Sequence, residues 1–288
     1  MKTLIEVIGK NAGHWVGDGF PVRTLFSYQQ GVEALSPFLL FDHAGPRNFT
    51  PNTGAPRGVG AHPHRGFETV TIVYEGEVSH RDSAGGGGTI GRGDVQWMTA
   101  GHGIVHEEFH SAGFSRSGGP FHVVQLWVNL PPEHKLAPPA YQAITADMIP
   151  ERAISGGTAR IIAGAWGDET RGPAKSFSPI NLWDVRLAAG AETVLPLPAG
   201  HTSMVAVLGG HVTIEGAGVG ESEIARLTTD GEGISLRADG DATLLVLTGE
   251  PVAGSVVGYG PFVMTSEAEI HEAIDDYNAG RFGAMAPA

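Results

Sequence analysis

Two short stretches of the sequence carry side chains that could bind a metal ion. His62 and His64 flank a proline in AHPHRGFETV, and His106 and Glu108 flank a second glutamate in GHGIVHEEF. Successive side chains of a β-strand point to opposite faces, so each pair shares one face of its strand. Two such strands side by side would direct three imidazoles and one carboxylate to one point. These ligands suit a divalent first-row metal, and four protein ligands leave an octahedral ion open to water or substrate.

The simplest alternative is that these residues are surface histidines of an acidic protein. A single His-x-His is weak evidence for a metal site. Here a His-x-Glu follows further along the chain, again in strand-like sequence, and the combination is much more specific. The sequence therefore predicts a metal site in which His62, His64, His106 and Glu108 converge.

The composition predicts a fold made of short strands and tight turns. The chain has 288 residues, with 43 glycines and 19 prolines, and only 17% of its residues are charged. Frequent Gly and Pro with few charges favour strands joined by turns over long helices. A chain of this length can form one large β domain or two ordinary ones.

Charge and residue usage argue against several classes of function. The net charge of -13 comes without a basic patch, which argues against direct contact with nucleic acid or with an anionic membrane. The absence of cysteine excludes disulfides, thiolate metal sites and cysteine nucleophiles. No stretch approaches the ~20 apolar residues of a membrane span. Glu6 and Lys10 interrupt the region where a secretory signal would be apolar, so we expect a cytoplasmic protein.

Four prolines between positions 131 and 139 are the clearest punctuation in the sequence, and we place a domain boundary there. The predicted domains are residues 1–135 and 136–288. Strand patterns resume after the prolines, and residues 197–216 weakly repeat the pattern of residues 59–78. His201 stands where His62 stands, but no second histidine and no His-x-Glu follow. We interpret this as an internal duplication whose second copy lacks the ligands.

A helix is predicted at the end of the chain. Ser266 and Glu269 have the spacing of a capping box, and Ile270 and Ile274 begin an apolar stripe. Gly280 supplies a stop. We expect this helix to cover an edge or a face of a sheet.

Several long motifs resemble the pirin family over nearly the whole chain. They are HPHRGFETV, GDVQWMTAGHGIVHEE, QLWVNLP and YGPFVM. Pirins are bicupins, in which two β-barrel (jelly-roll) domains pack face to face and only the N-terminal barrel holds a metal. The resemblance implies an all-β fold of two cupin domains, the second ending in the helix. It also implies His62, His64, His106 and Glu108 as the metal ligands, and we assign a catalytic role to Glu108 as well.

Three other residues of these motifs receive different interpretations. A general cupin uses the glutamate of its first motif as a ligand, and the equivalent residue here is Glu68. Pirins take the carboxylate from the second motif instead, so we expect Glu68 to be structural or to support a ligand. His102 stands where the pattern AGRGI would have arginine, and we expect it at the rim of the site. We expect His110 to be structural.

Some pirins have a quercetin 2,3-dioxygenase-like activity, which the resemblance extends to this chain. The cofactor would be one divalent transition metal, with Fe(II) preferred and Ni, Mn, Cu, Co or Zn as alternatives. The substrates would be a small phenol and O₂. Three neutral imidazoles and one carboxylate leave a divalent centre with a net charge of about +1, which attracts an ionised enol or phenol oxygen. The resulting flavonolate can react with O₂, and its central ring opens with loss of carbon monoxide.

Two other functions stay open at this point. Some pirins are regulators that bind a protein partner and sense redox state through iron, without turnover. The third possibility is a zinc hydrolase or hydratase, since three histidines and an open position suit Zn²⁺. Glu108 as a fourth protein ligand argues against zinc, because a catalytic zinc site keeps three protein ligands.

Overall fold

The computed structural model describes residues 1–9 and 11–286, and β-strands make up most of it. The strands form where β-branched and aromatic residues are dense, as in residues 67–75 (FETVTIVYE), because these side chains suit a buried pleated surface. Glycine provides the turns between them. Gly76, for example, has φ of 89°, a conformation that residues with a Cβ rarely adopt. The predicted all-β class is confirmed.

In the described chain up to residue 130, strands alternate with short connections. They are β1 (Leu4–Gly9), β2 (His14–Val16), β3 (Phe20–Ser27), β4 (Phe38–Phe49), β5 (Gly58–His64), β6 (Phe67–Glu75), β7 (Val78–Asp82), β8 (Gly87–Ile90), β9 (Val95–Thr99), β10 (Ile104–His110) and β11 (Gly119–Asn129).

The remaining strands follow the same pattern as far as the C-terminal helix. They are β12 (Ala140–Ile144), β13 (Glu151–Ile154), β14 (Gly157–Ala163), β15 (Ala165–Trp166), β16 (Thr170–Arg171), β17 (Ile180–Leu187), β18 (Glu192–Leu195), β19 (Thr202–Gly209), β20 (His211–Ile214), β21 (Ala217–Gly220), β22 (Glu223–Leu227), β23 (Ile234–Ala238), β24 (Ala242–Gly249), β25 (Val257–Tyr259) and β26 (Phe262–Met264).

Helices are short and few in the described residues. The α-helices are α1 (Ala112–Ser117) and α2 (Glu267–Asn278), and the single 3₁₀ turns are Tyr28–Gln30, Val32–Ala34, Pro132–His134 and Ala146–Met148. None of the described helices has the length and apolar character needed to cross a membrane.

The first barrel consists of Ala12–Val32, Phe38–Ala146 and the chain from Val252 onward. Its larger sheet has the order β12-β9-β6-β11-β4-β3-β2, and its smaller sheet has the order β5-β10-β7-β8. Buried side chains of both sheets meet in one core cluster, where Val73 and Val123 of the larger sheet join Val78 and Ile90 of the smaller one. The two sheets therefore enclose a common interior.

The second barrel consists of Met1–Asn11, Glu33–Pro37 and Asp147–Pro251. It repeats the same pair of sheet sizes, with the orders β1-β22-β19-β24-β17-β14-β13 and β18-β23-β20-β21, as expected if the two units are duplicates. Its core cluster consists of apolar side chains, Trp183 and Ile214 among them.

The histidines of the second barrel make ordinary polar contacts. The His201 ring bonds to the Thr248 hydroxyl at 3.3 Å, and the His211 ring bonds to the Asp239 carboxylate at 2.5 Å. Neither ring belongs to a group of possible metal ligands among the described residues.

The structure divides the chain differently from the predicted boundary between residues 135 and 136. The chain passes from the first barrel to the second after Ala146, and the C-terminal helix belongs to the first barrel rather than the second. At the other end, Leu4 of β1 pairs with Leu227 of β22, so the N-terminal strand belongs to the second barrel. The prolines mark where the chain turns locally. They did not predict the units to which β1 and α2 belong, because strand pairing and helix packing are contacts between residues far apart in sequence.

Helix α2 is capped nearly as predicted. The Ser266 hydroxyl accepts a hydrogen bond from the Glu269 N–H at 3.3 Å, and the Glu269 carboxylate accepts one from the Thr265 N–H at 2.8 Å. In a capping box the glutamate accepts the N–H of the N-cap residue, whereas here Glu269 accepts the N–H of Thr265, the residue before the N-cap. Ile270 is buried in a cluster that includes Val105 of β10. The helix thus covers one end of the strand that carries His106.

The pair His43 and His122 predicts how stability depends on pH. Their Nε2 atoms lie 2.7 Å apart, so one ring donates and the other accepts. Burial, with smaller effects of His122 and Arg23, lowers the pKa of His43 to about 3. Between pH 6.5 and 3 the unfolded state therefore binds more protons at this residue, and the folded state loses stability as the pH falls, by about 2 kcal/mol at pH 5.

Urea unfolding of wild type and His43→Gln between pH 7 and pH 5 measures this effect. We expect the wild type to lose about 2 kcal/mol more than the variant over this interval. Parallel pH profiles for the two proteins would show that His43 is not responsible.

Candidate metal centre

The pairing of β5 with β10 brings three of the predicted ligands together. His106 lies directly opposite His62, and Ile104 lies opposite His64, so the three imidazoles share one face of the smaller sheet. The ring centroids of His62 and His106 are 4.3 Å apart, and those of His64 and His106 are 4.8 Å apart. One nitrogen of each ring lies within 4.8 Å of the other two.

Two of these rings have a buried nitrogen without a protein partner. Nδ1 of His64 and Nε2 of His106 are buried and accept no hydrogen bond from the described residues. Burial, followed by the neighbouring imidazoles, lowers the pKa of both rings well below the usual value, so both are neutral. A buried unsatisfied nitrogen costs free energy, and a metal ion binds the neutral form of histidine. These residues therefore fit a metal ion.

Glu108 lies beside His106 but does not join His62 and His64 in one group. Its nearest group of possible ligands is His80, His106 and Glu108, whose ligand atoms lie within 4.8 Å of one another. A bulge in the pairing of β5 with β10 falls between His106 and Glu108. The four predicted ligands thus lie at neighbouring positions of β5 and β10. Three of them, the histidines, form one group of possible metal ligands.

Polar residues of the larger sheet hold the Glu108 carboxylate. Oε1 accepts hydrogen bonds from the Gln96 amide at 2.5 Å and the Thr71 hydroxyl at 3.2 Å, and Oε2 accepts one from the Gln125 amide at 2.9 Å. The Tyr141 hydroxyl donates to Oε1 of Gln96, which directs the Gln96 NH₂ group toward Glu108. The carboxylate is thus fixed on the inner side of the barrel.

A chain of three residues orients the His106 ring. His80 Nε2 lies 3.0 Å from the Asp82 carboxylate, and His80 Nδ1 lies 3.3 Å from His106 Nδ1. Burial opposes ionisation of Asp82, but bonds from His80 and from the N–H groups of Gly86 and Ala84 outweigh it and keep the pKa of Asp82 below its usual value.

The hydrogen-bond network assigns the tautomers along this chain. An ionised Asp82 only accepts, so His80 carries its proton on Nε2 and accepts on Nδ1. His106 then carries its proton on Nδ1, which leaves a lone pair on Nε2, the buried nitrogen that has no partner. Asp82 thereby selects the His106 tautomer that can bind a metal.

The sequence interpretation missed this chain, although a signal was present. His80 and Asp82 are two apart in the strand-like segment VSHRD, so they share one face, as the predicted ligands do.

The other two rings are oriented by backbone carbonyls. Nδ1 of His62 lies 2.9 Å from the Gly60 carbonyl, which leaves Nε2 as the acceptor nitrogen. The carbonyl of Pro261 accepts a hydrogen bond from the His64 ring. Arg65 next to it donates through its own N–H to the same carbonyl at 3.2 Å and through Nη1 to Asp276 of α2 at 2.6 Å. The C-terminal segment of the chain therefore supports the stretch that carries His64.

A small cavity adjoins His62 and Glu108 inside the first barrel. About 40 Å³ of it is open to the centres of water molecules. Its walls combine apolar and polar side chains, which are Val16, Phe20, Val22, Asp42, Ala44, Val59, His62, Thr71, Glu108, Val123 and Gln125. Of the four predicted ligands, His62 and Glu108 thus face a small cavity with a mixed apolar and polar wall.

Glu68, His102 and His110 lie outside the groups of possible metal ligands among the described residues. Glu68 is fully buried and accepts a hydrogen bond from the Thr99 hydroxyl at 2.8 Å, which is a structural contact. His102 is exposed. His110 is buried, bonds to the Gly19 carbonyl at 2.9 Å and packs among phenylalanine rings.

Comparison with known proteins identifies the family to which the chain belongs. The family model described as "Pirin" matches residues 19–128, and the model described as "Pirin C-terminal cupin domain" matches residues 182–283. A Pseudomonas aeruginosa protein named "Putative quercetin 2,3-dioxygenase" is 52% identical over 287 residues, which cover 98% of this chain and 99% of that protein. A "Pirin-like protein" of Caulobacter vibrioides is 37% identical over 285 residues, which cover 98% of this chain and 99% of that protein.

Among solved structures, the crystal structure of a quercetin 2,3-dioxygenase from Acinetobacter baumannii is similar to this chain with a TM-score of 0.95. The two chains are 53% identical, and the match covers 99% of each. With this identity and coverage, and with both family models matched, the chain belongs to the pirin family and its two barrels are cupin domains.

Proposed function

We propose that this pirin is a metal-dependent dioxygenase that opens the central ring of flavonols such as quercetin. The observation that carries the proposal is the group of three imidazoles, two of which have a buried nitrogen with no partner among the described residues. The relatives named for quercetin 2,3-dioxygenase support the substrate class. We propose His62, His64, His106 and Glu108 as ligands of one divalent ion, with Fe(II) preferred for this mixed donor set.

The bound ion would supply Lewis acidity, which lowers the pKa of an enol or phenol oxygen and yields an electron-rich anion that reacts with O₂. In the overall reaction both oxygen atoms of O₂ enter the organic product. Two carbon–carbon bonds of the central ring break, and the carbon between them leaves as carbon monoxide. No external reductant is required.

Glu108 has the geometry of a proton acceptor for the substrate. Its Oε1 already accepts two hydrogen bonds, from Gln96 and Thr71, whereas Oε2 accepts one, from Gln125. Oε2 therefore has the remaining lone pair, which would bind the ion before the substrate arrives and take the proton of the substrate hydroxyl once the substrate oxygen replaces it on the ion. Because Gln96 and Gln125 hold the carboxylate from two sides, this acceptor is in place before the substrate arrives.

The cavity limits how a flavonol can bind. The water-accessible volume of about 40 Å³ is much less than the roughly 300 Å³ or more of a pocket that holds a drug-sized ligand. The edge that carries the enol and keto oxygens is the part of a flavonol that fits such a space. Val16 at the end of β2 and Phe20 at the start of β3 form part of the cavity wall, and these strand ends would have to move for the rest of the molecule to enter.

Oxygen uptake with quercetin tests the proposal. Protein loaded anaerobically with Fe(II), Ni(II) or Mn(II) should consume O₂ and release carbon monoxide in equal amounts. His62→Ala should lose at least about 100-fold in rate, because an ion that loses one of its ligands is no longer held in the reactive geometry. The matched control is His201→Ala in the second barrel, which should retain the wild-type rate.

Equal rates for wild type and His62→Ala would refute the proposal. So would O₂ uptake without carbon monoxide, because that would indicate simple oxidation of the phenol.

One observation favours a second candidate, a zinc hydrolase or hydratase. Three histidine nitrogens form one group without Glu108, and three protein ligands with an open position are typical of catalytic zinc. The metal content of protein purified without added metal separates the two candidates. Stoichiometric zinc with no O₂ uptake for any phenol would favour the hydrolase.

A further inference from the structure

A row of polar side chains crosses the inner face of the larger sheet of the first barrel. Strand register places Gln96 opposite Thr71, Thr71 opposite Gln125, Gln125 opposite Asp42, and Asp42 opposite Thr24. Residues directly opposite each other in antiparallel strands share a face and lie about 5 Å apart at Cβ. The polar row, defined by these five residues, therefore runs past the Glu108 carboxylate toward β3.

Three members of the polar row are donors to Glu108, as described above, and Asp42 is its acidic member. Asp42 is 7% exposed and lines the same cavity as His62 and Glu108. Oδ1 accepts a hydrogen bond from the Thr24 hydroxyl at 2.5 Å. Burial raises the pKa of Asp42, and the Thr24 bond and the charge of His14 offset only part of this effect.

A carboxyl group in such a place costs free energy when the protein is alone. Val22, Ala44 and Val123 surround it in the cavity wall and offer no hydrogen bonds from their side chains. Burial of a polar group with incomplete hydrogen bonding is unfavourable, and a ligand that brings a hydroxyl to it recovers that cost. The chemistry of the wall thus favours a ligand with a donor at this position.

We propose that Asp42 contacts the substrate and makes the site specific for phenols that carry a hydroxyl in addition to the metal-binding oxygen pair. The inference rests on the proposed function in taking the three histidines and Glu108 as the place where the oxygen pair binds. Asp42 lies two strands from Thr71, which touches Glu108, so the second hydroxyl lies on the β3 side of the oxygen pair. A buried hydrogen bond to a charged acceptor favours the hydroxylated ligand by about 10- to 100-fold.

Two flavonols test this specificity because they share the same enol and keto oxygens. Quercetin carries further hydroxyls, and 3-hydroxyflavone carries none. Their binding to Zn²⁺-loaded protein without O₂ is measured from the shift of the flavonol absorption band, which requires no turnover. Wild type should bind quercetin about 10- to 100-fold more tightly. Asp42→Leu should lose that preference by weakening quercetin alone, and the isosteric Asp42→Asn should lie between the two.

The matched control is Asp94→Asn, because the Asp94 carboxylate accepts N–H groups of Gly91 and Ala146 and does not line the cavity. Asp94→Asn should keep the wild-type preference. Loss of affinity for both flavonols by the same factor in both Asp42 variants would overturn the proposal, because a structural role would have that effect. An unchanged preference in Asp42→Leu, or a wild type with no preference, would also overturn it.

The two proposals of function fail in different ways. If no metal-loaded protein turns over quercetin, yet the binding preference depends on Asp42, the dioxygenase proposal fails and the assignment of Asp42 stands. If turnover is rapid and the preference does not depend on Asp42, the dioxygenase proposal stands and the assignment of Asp42 fails.

Discussion

Asp82→Asn should lower the affinity of the protein for a divalent transition metal by about 10- to 100-fold. The carboxylate does not touch the proposed ion. It acts through His80, whose proton it holds on Nε2, and through His80 on the tautomer of His106. An asparagine can place its NH₂ group against His80 Nε2, which then becomes an acceptor. His80 would carry its proton on Nδ1, and His106 would have to accept there and lose the lone pair on Nε2.

The substitution is nearly isosteric and should leave the fold intact. Oδ1 of Asp82 accepts the N–H groups of Ala84 and Gly86 at 2.8 and 2.9 Å, and the oxygen of an asparagine can retain both bonds. Affinity for Zn²⁺ is measured by competition with a chromophoric chelator. Asp94→Asn is the matched control, since that carboxylate also accepts two N–H groups but has no histidine partner among the described contacts. Equal affinities for Asp82→Asn, Asp94→Asn and wild type would contradict the tautomer argument.

Lys135→Met should destabilise the protein by about 3 kcal/mol, the cost of leaving buried oxygen acceptors without their donor. Lys135 is 2% exposed, and its ammonium group donates to the carbonyl of Gly66 at 2.8 Å, the side chain of Asn129 at 2.6 Å and the carbonyl of Val263 at 2.7 Å. Methionine fills similar space without a donor, so buried acceptors lose their partner. The bonds to Gly66 and Val263 link the stretch after His64 to the C-terminal segment.

The free energy of unfolding in urea measures this effect. Burial lowers the pKa of Lys135 to about 7, opposed by Glu269, so the measurement is made at pH 6, where the group is protonated. Lys175→Met is the control, because Lys175 is exposed and its replacement should change the free energy by less than about 0.5 kcal/mol. A loss below about 1 kcal/mol for Lys135→Met would show that the three bonds contribute little.

The fold class and the three-histidine group could be predicted from the sequence because both depend on short-range periodicity. Alternation along a strand puts His62 with His64 and His106 with Glu108, whatever the rest of the chain does. The capping pattern of Ser266 and Glu269 likewise located α2, since a helix start is defined by residues three positions apart.

The unit to which α2 belongs could not be predicted in this way. Its buried residue Ile270 packs in a cluster with Val105, more than 150 residues earlier in the chain. The same holds for β1, which completes a sheet built mostly from the second half of the sequence. Packing of this kind depends on which apolar surfaces remain uncovered after the barrels form.

By itself, therefore, the sequence determined which residue types could bind a metal and which of them share a face of a strand. Only the tertiary structure decided how each ring is oriented. Strand register set His106 against His62 and His80 against Glu108, and it placed Asp42 beside Gln125 in the wall of the cavity. The physical reason is that the direction of a lone pair depends on hydrogen bonds between residues of different strands, and no spacing within one strand records them.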